Sequence, residues 1–214
     1  MAIILFSRPD HDQIITYLYM YSRKLVEYAK QKSHNVLNEE KINANKNRIT
    51  GVIKKKKPDL IMFNGHGDEK TICGHNNQPL IELGKNHYLL KSAIVYCLSC
   101  KSALELGKKS VEDGTTTFIG YEDDFALGRD TRYDSTPSKD KIGNLFLGPS
   151  NLLMESLIKG NVTGEAVEKC KNRMKEDISR LRTSSEQNEQ DALPYLYSNY
   201  ACLAIHGDNS ASIR

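Results

Sequence analysis

The chain has 214 residues, 39% hydrophobic and 27% charged, which suffices for one substantial core and leaves no room for a second large domain, so residues 1–214 read as a single domain. Thirty Lys and Arg against 27 Asp and Glu give a formal charge of +3, too small a bias to make nucleic acid the expected partner. The longest unbroken apolar run, Met1 to Phe6, falls far short of the roughly 20 residues of a spanning helix and lacks a cationic leader, which predicts a cytoplasmic chain without a membrane partner.

Ala2 to Ser7 predicts a short buried strand that stops at Arg8-Pro9-Asp10. Ile14, Leu18, Tyr21, Leu25 and Tyr28 fall on one face of a following helix, with Asp10 or Asp12 available as its cap. Lys41 to Lys57 predicts a more polar helix, stopped by Pro58, and Asp59 to Asn64 the next buried strand. Cys73 to Leu83 holds short strand-like pieces between turn residues. Ser92 to Leu98 is a third buried strand, Lys101 to Glu112 a helix, and Thr115 to Tyr121 a fourth strand. Glu122 to Lys141 is polar and poor in aliphatics and predicts a mobile loop. Two helices follow, Leu145 to Lys159 and Thr163 to about Arg182, the second with Thr163 as N-cap. Thr183 to Asp191 reads as a linker and Asn199 to Ile205 as a last strand. Alternating strands and helices predict a mostly parallel sheet covered on both faces, a three-layer α/β/α sandwich.

Ligands and catalytic groups of open parallel sheets collect beyond the carboxyl ends of the strands. The second strand runs into Asn64-Gly65-His66-Gly67-Asp68, and the third into Cys97-Leu98-Ser99-Cys100-Lys101-Ser102. A thiol just ahead of a helix and beside an imidazole is expected to have a depressed pKa and to serve as a thiolate nucleophile.

These motifs resemble the caspase-like, clan CD cysteine peptidases, and among them the CHAT family. "FNGHG" is similar to that family's histidine motif and "IVYCLSCKSA" to its nucleophile motif. "LIKGNVTGEAVEKC" resembles its helix start, and "LPYLYSNYACLAIHGD" its terminal strand ending in Gly-Asp. The four blocks span about residues 58 to 208. The resemblance implies Cys100 as nucleophile, His66 as general acid/base, and backbone amides of Gly67 and Cys100 as the oxyanion hole. It implies a Cys-His dyad, since no third orienting residue is evident. It further implies a caspase-like fold, a protein substrate, a regulatory protein partner in trans, and a setting in regulated proteolysis or bacterial defence. No cofactor and no metal are expected. The caspase Gln-Ala-Cys signature is absent, so cleavage after Asp is not implied. Leu98-Ser99 stands where many members have Ser-Ala, and helical repeats or sensor domains of the kind often fused to the module are lacking. Glu122, Asp123 and Asp124 crowd the end of the fourth strand, and Asp123 and Asp124 are the expected partners of a basic P1 side chain.

Other readings compete. A catalytically silent caspase-like module that binds a partner would keep the fold without needing the thiol or the imidazole. Cys97 offers an alternative nucleophile, although its position three residues earlier in a strand sends it to the opposite face from Cys100. Cys97 and Cys100 also form C-x-x-C, and with Cys73 and His75 make four potential zinc ligands without knuckle spacing. The odd number of cysteines, five, argues for free thiols in a reducing compartment. The Lys54 to Lys57 run reads as a solvated helix end, and the tyrosines of Tyr17 to Tyr28 as core.

Overall fold

A computed structural model describes residues 1–213. In chain order the elements are β1 (Ile3–Arg8), α1 (Gln13–Gln31), β2 (Asn35–Glu40), α2 (Lys46–Lys56), β3 (Leu60–Asn64), the hairpin β4 (Thr71–Cys73) and β5 (Pro79–Glu82), β6 (Ile94–Leu98), α3 (Lys108–Glu112), β7 (Thr117–Tyr121), α4 (Lys141–Ile158), α5 (Thr163–Leu181), α6 (Gln187–Cys202) and β8 (Leu203–Gly207). Six strands form one sheet in the order β2-β1-β3-β6-β7-β8. All its pairings are parallel except β7 with β8.

The strands of the middle are apolar without a break because both faces are covered. Successive side chains alternate between the two layers: Ile4 and Phe6 of β1 join a cluster with Leu25 of α1, Leu153 of α4 and Met174 of α5, while Leu5 lies in a second cluster with Ile49 and Ile53 of α2 and Ile81 of β5. Phe6, Met62, Tyr96 and Phe118 are fully enclosed, and burying such a side chain contributes about 1.5–3 kcal/mol. The predicted sandwich is therefore the observed fold, with helices α1, α4 and α5 on one face and α2 with the hairpin on the other.

Several boundaries differ from the sequence expectation, each for a local reason. The edge strand β2, Asn-Val-Leu-Asn-Glu-Glu, is only partly buried and has no apolar run to reveal it. The helix expected from Lys41 begins at Lys46, because Asn45 takes up the cap position and its side chain accepts from the Arg48 N–H at 3.1 Å. It ends at Lys57 in a left-handed conformation, φ 45°. The helix after Cys100 starts as a π-helical turn, Ala103–Gly107, before α3. Residues 199–202, expected as strand, complete α6, where Leu196 packs with Phe146 and Leu181.

Thr163 is the first residue of α5 and Val162 its cap. The Thr163 hydroxyl instead donates to the Asp208 carbonyl at 2.7 Å, and the Gly164 N–H to the Asn209 carbonyl at 2.9 Å. Two of the four sequence blocks thus meet each other at the end of the sheet away from the strands' carboxyl termini. Gly207 is required there: its φ is 93°, and a Cβ would collide with the Thr116 carbonyl.

The 122–141 segment is irregular but pinned. Ala126 exchanges two hydrogen bonds with the Asn199 side chain, at 2.9 and 2.8 Å. The buried Asp140 carboxylate accepts from the Asp130 N–H at 2.8 Å and from the Tyr17 hydroxyl at 3.0 Å. Among the described residues no helix is long and apolar enough to cross a membrane.

Candidate active site

Adjacent strands β3 and β6 leave the sheet in step. Asn64 pairs with Leu98 in the parallel register, so His66 and Cys100 each stand two residues beyond a matched pair. The turns that carry them also touch: a Cβ on Gly67 would lie 2.9 Å from the Ser99 hydroxyl and 2.7 Å from the Thr71 carbonyl. Any side chain at 67 would push the histidine turn off the cysteine turn.

The hairpin fixes the histidine turn. The Cys73 N–H donates to the His66 carbonyl at 2.9 Å, and the Asp68 N–H to the Thr71 carbonyl at 3.0 Å. These bonds flank the Gly67–Ile72 bridge and leave the Gly67 N–H outside the ladder, as an oxyanion donor requires. The cysteine turn is held from the other side, where the Lys101 N–H donates to the Asp123 carbonyl at 3.0 Å. Lys101 has φ 53°, an uncommon conformation for a residue with a side chain, and such outliers gather at functional turns.

His66 has a partner that the sequence expectation did not assign. Its Nε2 lies 2.7 Å from Asp12 Oδ2. Asp12 is also the N-cap of α1, accepting from the Ile15 N–H at 2.9 Å through Oδ1. Burial works to raise the Asp12 pKa, but the Ile15 N–H and His66 outweigh it and carry it below its ordinary value. An ionised carboxylate only accepts, so Nε2 carries a proton, and in the neutral ring it is Nδ1 that offers the lone pair. Asp12 is thus an orienting partner for His66 that the expected Cys-His dyad lacked. The clue lay in the sequence: Asp10-His11-Asp12 follows β1 at the same carboxyl edge that directed attention to His66 and Cys100.

The expected thiol depression at Cys100 is not found. Burial raises its pKa and Asp124 adds to the rise, against a smaller pull from the Phe125 N–H and Lys101. The helix meant to lower it opens with a π turn without a side-chain cap. Cys97 is fully buried, with Sγ 3.0 Å from the Ser99 hydroxyl, and burial pushes its thiol up to about 11. That is the environment of an inert thiol.

Of the acidic trio, Glu122 is engaged by Lys108 at 2.9 Å. Asp123 turns an oxygen to the Asp124 N–H at 2.8 Å, and the exposed Asp124 carboxylate lies 3.6 Å from Lys101. Cys73, His75, Cys97 and Cys100 do not converge as a tetrad. Among the described residues the metal-capable group of three is His11, Asp12 and His66, whose ligand atoms lie within 4.8 Å of one another.

No family model matches the sequence, and no curated protein does. Among solved structures the chain is similar to the complex of Porphyromonas gingivalis RgpB pro- and mature domains, with a TM-score of 0.57 and 10% identity over 100% of this chain and 48% of that one. The chain spans about half the length of that relative. RgpB is a clan CD cysteine peptidase. At this identity the likeness bears on architecture, and what it establishes, together with the strand order, is that this chain has a caspase-like α/β/α fold.

Proposed function

We propose that the protein is a cysteine endopeptidase of the CHAT type, with Cys100 as nucleophile, His66 as general acid/base and Asp12 as the residue that positions His66. The observation that carries this reading is the in-step exit of His66 and Cys100 from adjacent parallel strands, with Asp12 Oδ2 at 2.7 Å from His66 Nε2. A silent binding module has no need of an imidazole whose tautomer is set by a carboxylate.

Burial holds the Cys100 thiol above its ordinary pKa, so the resting sulfur is protonated. His66 Nδ1 takes the Cys100 proton as sulfur attacks the scissile carbonyl carbon, and Asp12 stabilises the imidazolium that forms. The oxyanion receives the Gly67 and Cys100 N–H groups. His66 then returns the proton to the leaving amine as the C–N bond breaks, leaving a thioester. Water attacks the thioester, giving its proton to His66, and the C–S bond breaks as Cys100 is reprotonated.

A protein substrate, an activating protein partner in trans and a setting in regulated proteolysis belong to this proposal. So does a preference for Lys or Arg at P1, supported by Asp123 and Asp124 beside the cysteine turn; a desolvated charge-assisted contact contributes about 1.5–3 kcal/mol. The test is cleavage of a positional peptide library and of unfolded protein by wild type, Cys100→Ala and His66→Ala. Wild-type cleavage lost in both folded variants is expected. Cleavage that survives Cys100→Ala refutes the assignment, and a preference for apolar P1 residues that survives Asp123→Ala and Asp124→Ala refutes the acidic pocket.

A further inference from the structure

His66 shares the edge of the sheet with two other groups whose chemistry the peptidase mechanism does not fully use. His11 follows β1, and its side chain is only 6% exposed; its Nδ1 has no hydrogen-bond partner, while its Nε2 meets Asn77 Oδ1 at 3.1 Å. Its Nε2 lies 3.6 Å from Asp12 Oδ2, the oxygen that also meets His66 Nε2 at 2.7 Å. The His11 and His66 rings stand edge to face at 6.1 Å between centroids, and His75 packs against His11 at 5.4 Å.

Tetrahedral zinc holds imidazole nitrogen and carboxylate oxygen at about 2.0–2.2 Å, which separates neighbouring ligand atoms by about 3.4 Å. The His11 Nε2–Asp12 Oδ2 spacing of 3.6 Å already matches, with the ion taking the place of the Asn77 contact on Nε2. The His66–Asp12 contact needs to open slightly as the ion replaces the shared proton, and the remaining separation of at most 4.8 Å needs to close, a side-chain adjustment for a His66 that is 41% exposed. Two imidazoles and one carboxylate suit zinc and not the oxygen-seeking magnesium or calcium. Three protein ligands leave a fourth position for water.

We infer that His11, Asp12 and His66 form a zinc site whose occupancy inhibits the peptidase by capturing the His66 imidazole and its Asp12 partner. Inhibition rests on the catalytic reading above; zinc binding does not, which keeps the two separable. The ion here is a reversible inhibitor. It competes with the proton that Asp12 holds on His66, so chelation restores the working pair.

The test is equilibrium dialysis of the protein against Zn²⁺ in a non-chelating buffer, with the bound metal counted, alongside Mg²⁺ and Ca²⁺. One equivalent of zinc is expected in wild type and equally in Cys100→Ala. His11→Ala and His11→Gln should weaken it at least tenfold, roughly the scale on which even outer-shell groups act on a metal site. Zinc should inhibit wild-type peptidase reversibly by chelator, and the midpoint of inhibition should rise about tenfold in the His11 variants relative to each variant's own activity. Absence of bound zinc, equal retention in folded His11 variants, or loss in Cys100→Ala overturns the site. Zinc bound as expected without inhibition of an active enzyme overturns the regulatory half. If both His11 variants fail to fold, cobalt-substituted wild type decides: thiolate-to-cobalt charge-transfer absorption would place the ion on cysteine and overturn the site, whereas a spectrum of nitrogen and oxygen ligation supports it.

Discussion

Asp12 Oδ2 meets His66 Nε2 at 2.7 Å while Asp12 Oδ1 caps α1 through the Ile15 N–H at 2.9 Å. One carboxylate therefore joins the first helix to the histidine turn, two elements separated by more than fifty residues. Charge and capping can be pulled apart by substitution. Asn caps about as well as Asp, so Asp12→Asn should fold with nearly unchanged Tm and lose about ten- to a hundredfold in kcat, as it no longer fixes the His66 tautomer or stabilises its imidazolium. Asp12→Ala should lose the same activity and about 1 kcal/mol of stability as well. Thermal melts read beside kcat for the two variants check this, and equal activity in Asp12→Asn and wild type would remove Asp12 from the mechanism.

The two neighbouring thiols should behave oppositely. Cys97 is enclosed, and burial holds its thiol near 11, so it should resist alkylation at neutral pH until the protein unfolds. Cys97→Ala should cost about 1 kcal/mol, the scale of a small core truncation, and retain activity. Peptide mapping after mild alkylation checks the order of labelling; Cys97 modified ahead of Cys100 in the folded state would reverse the assignment.

The sequence carried the sheet because its central strands are unbroken apolar runs, and it singled out His66 and Cys100 as candidates because each follows such a run. It hid β2, whose Asn35, Asn38, Glu39 and Glu40 do not look like a strand and form one only by pairing along β1. It hid the role of Asp12 because an Asp ahead of a helix is fully accounted for as a cap, and its second oxygen has a target only once the chain folds. The Thr163 and Gly207-Asp208 blocks were legible too, but they hold each other and not the site. The expected thiol depression failed because it took no account of burial, the largest influence on Cys100, or of Asp124, which adds to the rise.

Asp124 sets a pH dependence. Burial, with Asp124 adding to it, holds the Cys100 thiol above its ordinary pKa, so the reactive thiolate gains population only as pH rises toward that elevated value. Asp124→Asn removes the carboxylate part of the rise. Alkylation of Cys100 at pH 7 should become faster and the acid limb of its rate profile should move to lower pH, while the selectivity for Lys over neutral P1 residues falls. Iodoacetamide kinetics across pH measure the first effect; an acid limb moved to higher pH would contradict it.

Gly67 has no room for a side chain against the Thr71 carbonyl and the Ser99 hydroxyl. Gly67→Ala should cost about 1–3 kcal/mol, the range for overpacking a tight contact. It should also lower kcat by about a hundredfold or more by displacing an oxyanion donor. Denaturant unfolding and steady-state kinetics on the same preparation separate the two losses, and full activity in this variant would show that the 67 amide takes no part.

The most direct measurement is covalent labelling with a peptidyl electrophile carrying Arg at P1, followed by intact mass and peptide mapping of wild type, Cys100→Ala and His66→Ala. One adduct per chain on Cys100 is expected, absent in Cys100→Ala and formed about a hundredfold or more slowly in His66→Ala, the scale of a lost general base. An adduct on any other cysteine, or a labelling rate in His66→Ala equal to that of wild type, would contradict the Cys100–His66 assignment.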